Sequence, residues 1–267
     1  MFDRERFICR TLANRDRCIG FALDVCDRMV NNGLMHERYF LSVATELQNR
    51  FRPILEQARE DNRHYSYDFN ALSFFAINEP MHSFLIAKLL DPHAEHGQRD
   101  LFLKVFLERL GIEKPDMGHW VVTAEKGRID VLLKRNEPHS VVIIENKSNY
   151  AWDQENQLYR YWHQEIYTPI LQKEGRWSEE DHSSPTRYKI LYLTPANWKQ
   201  PSDNSLQRPV RFKHPLPETV PIRPTIWEFK KDIIDWLEDS LRILPECNHR
   251  MREYVRQYIE LWCEGGR

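Results

Sequence analysis

A chain of 267 residues has room for one large hydrophobic core or two small ones. Its 41% hydrophobic and 29% charged residues are those of a folded, water-exposed protein, which excludes a disordered tail and a membrane-embedded bundle. A formal net charge of -2 excludes a global attraction to a polyanion, so any positive surface has to be local.

The first residues, Met1 to Arg6, alternate charge with apolar side chains and lead into no long apolar run. Neither a signal peptide nor a membrane span is expected, and the cytoplasm is the default compartment. The five cysteines (Cys9, Cys18, Cys26, Cys247, Cys263) form no close pair and read as reduced thiols.

From Met1 to about Leu110 the pattern is helical. Phe40, Ala44, Leu47, Phe51 and Leu55 recur at three- or four-residue steps and would line one helix face, with Pro53 expected to kink or restart the helix. That face reads as a packing surface against the rest of the fold, with a homodimer seam as the alternative. Residues 1–75 are thus expected to be an N-terminal helical extension packed on a core that occupies 76–267. Asn78 before Glu79-Pro80 is a good N-cap, which predicts a helix from Glu79 to Leu90. Asp91 to Gly97 breaks it, and Leu101, Val105 and Leu110 mark a second helix ending at Gly111.

Between His119 and Lys147 the period changes. Trp120–Thr123, Ile129–Leu133 and Val141–Ile144 are short β-branched runs separated by turn residues, Gly127 and then Asn136-Glu137-Pro138. A three-strand meander is the simplest topology, and the unbroken apolar third run places that strand centrally in the sheet. Trp152 to Ile166 returns to helical spacing, and Arg187 to Thr194 reads as a fourth strand. A proline-rich stretch over 195–225 is too long for a plain connection. From Pro185 to Lys231 there are nine Lys/Arg against three acids, with Trp198 and Phe212 interleaved, so this basic excursion is expected to contact a nucleic-acid backbone. Helices from Ile226 to Leu241 and from Arg250 to Trp262 close the chain.

Glu145 and Lys147 stand two apart at the end of the central strand, so their side chains leave the same face about 6–7 Å apart. A carboxylate and an ammonium ending a buried strand are costly to desolvate; a buried ion pair is the structural explanation and a functional site the other. Asp130 lies in the neighbouring apolar run, where a lone acid needs a reason such as a cation. Two carboxylates from adjacent strands supply the hard oxygens Mg²⁺ prefers and leave positions open for water and phosphate.

Ile129-Asp130, a fourteen-residue interval and Glu145-Asn146-Lys147 together resemble the D…ExK signature of the PD-(D/E)xK nuclease superfamily, with Ile129 where the proline would stand. Gln157-Leu158-Tyr159-Arg160-Tyr161 resembles the Q-x-x-x-Y element of related members, and Glu79-Pro80-Met81-His82-Ser83 with Leu89-Leu90-Asp91-Pro92 and His96-Gly97 is similar to a bacterial subgroup of these nucleases, a resemblance that runs from about Glu79 to Tyr161. The resemblance implies an α/β restriction-endonuclease-like fold with a mixed-sheet core (αβββαβ), an N-terminal helical extension and C-terminal helices. It implies a metal-dependent nuclease acting on DNA, in defence or repair, in which Asp130, Glu145 and Lys147 are catalytic. Asp130, Glu145 and the Asn146 backbone carbonyl would hold Mg²⁺, or Mn²⁺ in its place, with Glu79 a candidate further ligand. Gln154, Gln157 and Tyr161 would reach toward substrate phosphates from one helix face. A catalytically silent module that binds nucleic acid or a protein partner, and an RNA-cleaving effector, are the alternatives. His82, His93 and His96 lack a second ligand pair and read as turn or hydrogen-bonding residues in preference to a zinc site.

Overall fold

The computed structural model describes residues 37–66, 69–175, 178, 183–195, 199–212 and 216–263. The chain divides into two compact units, Met1–Phe69 and Asn70–Arg267. In the first, helix α1 (Glu37–Tyr65) runs through Pro53 as one continuous helix and does not restart there. Pro53 is exposed, so the carbonyl deprived of its N–H partner can turn to water. Among its apolar residues Leu47 and Phe51 are half-buried, whereas Ile54 and Leu55 are exposed.

The second unit opens with a short 3₁₀ turn (Ala71–Phe74) and helix α2 (Glu79–Leu90), whose N-cap Asn78 accepts from the Met81 N–H at 3.1 Å. Helix α3 (Leu101–Arg109) follows. Strands β1 (Val121–Lys126), β2 (Ile129–Arg135) and β3 (Ser140–Asn146) form the expected antiparallel meander. Helix α4 (Gln157–Trp162) bends through a π turn (His163–Tyr167) into α5 (Thr168–Glu174), and β4 (Tyr188–Thr194) then lies parallel to β3.

The sheet has a fifth strand that the sequence reading missed. Residues Thr225–Glu228 form β5, parallel to β4 at the sheet edge, where a helix starting at Ile226 was expected. A π turn (Phe229–Ile233) separates it from α7 (Ile234–Ile243), and α8 (His249–Cys263) follows. Four residues after a proline are too short for a period to show. The short helix α6 (Asp203–Leu206) lies within the proline-rich excursion.

Strand β3 is central and all seven of its residues are buried, because both faces of the sheet are covered. Val142 and Ile144 join a core built with α2, α3, α7 and α8, in which Phe102, Phe106 and Trp236 meet edge to face. Val141 and Ile143 join a second core with α4 and α5, built on Leu158, Trp162 and Ile170. The excursion closes this second core: Leu216 and Ile222 are buried in it, and Tyr159 donates from its hydroxyl to the Pro217 carbonyl at 2.7 Å. Among the described residues no helix is long and apolar enough to cross a membrane.

One buried cation secures the turn end of the meander. The Arg135 guanidinium, only 1% exposed, lies over the Trp120 ring and donates to the carbonyls of Glu113, Lys114, Met117 and Pro138 and to the Ser140 hydroxyl. Truncation would strand several buried acceptors at once. Arg135→Ala is expected to destabilise the protein by about 3–5 kcal/mol, a fall in Tm of roughly 6–15 °C. A loss below about 1 kcal/mol in thermal or urea unfolding would show that water replaces those bonds.

Candidate active site

Antiparallel pairing of β2 with β3 sets the site. Val131 faces Ile144 across the ladder, so the next step brings Asp130 level with Glu145. The Asn146 N–H then donates to Asp130 Oδ2 at 2.6 Å. Lys147, one residue beyond β3, turns its Nζ back to Glu145 Oε1 at 2.5 Å, as two side chains on one face of an extended chain can. The three residues singled out in the sequence therefore meet at the carboxyl end of the central strand. Both partners of the ion pair are under 5% exposed.

Asn146 points to the opposite face. Its side-chain amide donates to the Glu79 carbonyl at 2.9 Å and to the Ser83 hydroxyl at 3.0 Å, tying the end of β3 to the first turn of α2. That tie carries the Glu79 carboxylate to the rim of the site, where Oε2 meets the Asn149 N–H at 3.5 Å.

Two further residues enter that the sequence reading did not single out. Asp153 sits 3.7 Å from Lys147 Nζ, and its own oxygens are held by the Tyr192 hydroxyl at 3.0 Å and the Ser202 N–H at 2.7 Å. Tyr192 lies beside Glu145 in the β3–β4 register, so β4 and the excursion fix this third acid. Glu125 stands at the end of β1 with φ +53, an uncommon conformation for a side-chain-bearing residue, and its charge acts on both Asp130 and Glu79. Contacts across 39 and 49 residues place Asp153, so local pattern carried no signal for it.

Crowding acids out of water has an electrostatic cost. Burial pushes Asp130 up to about 7, against the pull of the Asn146 N–H. Burial, then repulsion from Asp130, pushes Glu145 up to about 8 in spite of Lys147. Burial opposes the charge on Lys147 too, but Glu145, Asp153 and Glu79 more than offset it and raise the ammonium above its usual value. Glu79 is also raised by partial burial. Lys147 stays charged, while Asp130 and Glu145 are held partly protonated near neutrality.

Would the residues suit a divalent cation? Among the described residues no three His, Cys, Asp or Glu stand together at cation-holding distance. One oxygen each of Asp130 and Glu145 is taken up, by Asn146 and Lys147. Glu145 Oε2, however, is buried without any hydrogen-bond partner, a costly state for a carboxylate oxygen. A hard cation would satisfy that oxygen and cancel the repulsion between Glu145 and Asp130, so the donor set fits one.

The Q-x-x-x-Y residues are placed differently from the expectation. Helix α4 begins only at Gln157, because Asn156 takes a left-handed conformation with φ +56, one that Asn tolerates. The Asn156 N–H goes to the Asn204 carbonyl at 2.8 Å. Gln154 is therefore off the helix and exposed, accepting from Arg160 at 3.3 Å. Gln157 and Tyr161 do share a face but are buried. The Gln157 amide donates to the Tyr161 hydroxyl at 2.9 Å, and that hydroxyl donates to the Arg128 carbonyl. Together they brace the β1–β2 turn two residues before Asp130.

The described residues of the basic stretch from Pro185 to Lys231 are distributed over several elements. Lys189 lies at the far end of β4, level with Val142, and Arg187 just before that strand. Phe212 is stacked on His163 with centroids 4.3 Å apart, and so is not free as a platform; Trp198 and Lys213 lie outside the described residues. Lys199 does reach the rim, where its charge is felt at Glu79. The histidines have local partners: His82 is buried against Tyr258 at 3.0 Å, and His96 bonds the Asp91 carbonyl and the Gln98 N–H within its turn.

The family model described as PD-(D/E)XK nuclease superfamily matches residues 69–260, well over half of the chain and all of the site above. No curated protein and no solved structure matches it. Nucleases of that superfamily generally use divalent metal ions, and the five-strand mixed sheet with its flanking helices agrees with their restriction-endonuclease-like fold. On this match, with Asp130, Glu145 and Lys147 meeting at the end of its central strand, the chain belongs to the PD-(D/E)XK nuclease superfamily.

Proposed function

We propose that the protein is a cytoplasmic, metal-dependent nuclease that hydrolyses phosphodiester bonds in DNA, with Asp130, Glu145 and Lys147 as its catalytic residues. The reading rests on one observation above all: the buried Glu145 oxygen without a partner, beside a second desolvated carboxylate and an ammonium. A purely structural ion pair offsets the cost of its burial only when its remaining lone pairs are also satisfied, and this one leaves an oxygen bare.

In this reading Asp130, Glu145 and the Asn146 carbonyl hold one Mg²⁺, for which Mn²⁺ can substitute, with Glu79 as a further oxygen donor at the rim. A cation held there supplies the polarisation of the phosphodiester and a water of lowered pKa. Lys147 would orient the attacking water and offset charge gathering on the phosphate, the kind of preorganised stabilisation that acts strongly away from bulk water. With Glu145 shared with a cation, the Lys147 ammonium would need another anion close by. Asp153, fixed by Tyr192 and Ser202, stands where it can take that part and keep Lys147 in place. Gln157 and Tyr161 act by bracing the turn that carries Asp130, which leaves the exposed Gln154 and the half-buried Arg160 to meet substrate phosphates.

Incubation of plasmid, linear and single-stranded DNA with Mg²⁺ or Mn²⁺ tests the reading. The wild-type protein should cleave, Lys147→Ala should be slower by about 10²–10³-fold, and Glu145→Ala should be inactive. Cleavage at the wild-type rate by either variant removes the assignment.

Binding of the cation should also depend on pH. Because Asp130 and Glu145 hold protons up to about 7 and 8, below those values a cation has to displace them. Affinity for Mn²⁺ should therefore rise between about pH 6 and 8.5 and level off above, with protons released on binding near pH 7. Calorimetry in two buffers of different ionisation enthalpy measures both; a pH-independent affinity would place the cation elsewhere.

A further inference from the structure

The link from Lys147 to Asp153 is a short loop closed at its base by their ion pair at 3.7 Å. At its edge stands Trp152, 92% exposed, one Cα step of about 3.8 Å from Asp153. The other tryptophans described, Trp120, Trp162, Trp227, Trp236 and Trp262, are all buried. Water is an unfavourable place for a large indole, and the loop has nothing to gain in stability from it. Lys199 lies over this ring, Nζ to centroid 5.8 Å, and its charge also reaches the Glu79 carboxyl, weakly opposing the rise that burial causes there. An exposed cation–π contact of that length is weak, so it does not account for the tryptophan. The ring and the ammonium together nevertheless have the chemistry of a nucleotide subsite: a flat face for a base and a cation for its phosphate, at the rim of the acid cluster.

Which nucleic acid could use it follows from stacking. Inside a duplex each base face is covered by its neighbours, and exposing one costs a few kcal/mol of unstacking, so an indole takes a base most readily where the strand is already unpaired. Resting on the nuclease reading above, we propose that Trp152 and Lys199 form a stacking platform for an unpaired base next to the scissile phosphate. The substrate class is thereby single-stranded DNA, or the unpaired end of a duplex.

The platform is tested by binding in the Glu145→Gln background, so that no cleavage intervenes, with Mg²⁺ present. The probes are a thymidine octamer and an abasic octamer of equal length and charge. The protein with Trp152 intact should prefer the thymidine strand by about tenfold. Trp152→Ala should lose most of that preference while retaining its affinity for the abasic strand, and Trp152→Phe should recover part of the preference. Lys199→Gln should weaken both strands and flatten the salt dependence. An unchanged preference in Trp152→Ala, or an equal loss on both strands, overturns the proposal. Cleavage by the wild-type protein is scored separately: an inactive wild type that keeps a Trp152-dependent preference contradicts the nuclease reading and not the platform.

Discussion

A carboxylate, an ammonium and a second carboxylate are drawn out of water where the central strand ends, and the rest of the second unit is arranged to keep them there. Desolvating such a group costs several kcal/mol, and a close partner repays it only if every oxygen and proton is satisfied. Here the sum does not close: Lys147 takes one oxygen of Glu145 and leaves the other buried and bare. What reads as a defect in a resting ion pair reads as preparation in a site that receives a cation.

The surroundings limit how the acids could relieve that strain. The meander holds Asp130 level with Glu145, and the Asn146 amide locks the strand end to α2. Gln157 and Tyr161 close the β1–β2 turn from beneath, while Tyr192 and Ser202 clamp Asp153 behind Lys147. Packed strands and bonded side chains cannot drift apart to let water in. The groups with more freedom, Glu79, Gln154, Trp152 and Lys199, stand at the rim. Fixed electrostatics below and adaptable contacts above is a workable division for a site that holds a long, flexible substrate.

Much of this was legible in the residues. β-Branched runs with turn residues between them gave the meander, and acids inside apolar runs gave Asp130 and Glu145, because both signals are local. Asp153 was hidden since its meaning comes from Tyr192 and Ser202, far along the chain. Strand β5 was hidden because four residues are too few to show a period and its pairing with β4 is not local. The pattern also misled. Gln157 and Tyr161 look like a polar helix face, yet they point inward to a backbone carbonyl. The basic stretch is contiguous in sequence but its residues are spread along β4, the excursion and the β5–α7 turn, so charge counted along a chain is a poor guide to charge on a face.

The central claim is that the acids are held at a cost until a cation arrives. Comparing thermal unfolding of the metal-free wild type with that of Glu145→Gln, from pH 5.5 to 8.5, puts that cost on a scale. The folded-state pKa of Glu145 is raised, to about 8 from an ordinary 4.5, so its contribution to stability is fully present below the ordinary value and is lost as pH rises through the raised one. The account predicts that Tm of Glu145→Gln gains on the wild type as pH rises, and that Mn²⁺ raises the Tm of the wild type while leaving the variant nearly unmoved. A gap that stays constant with pH, or Mn²⁺ stabilising both proteins alike, would contradict it.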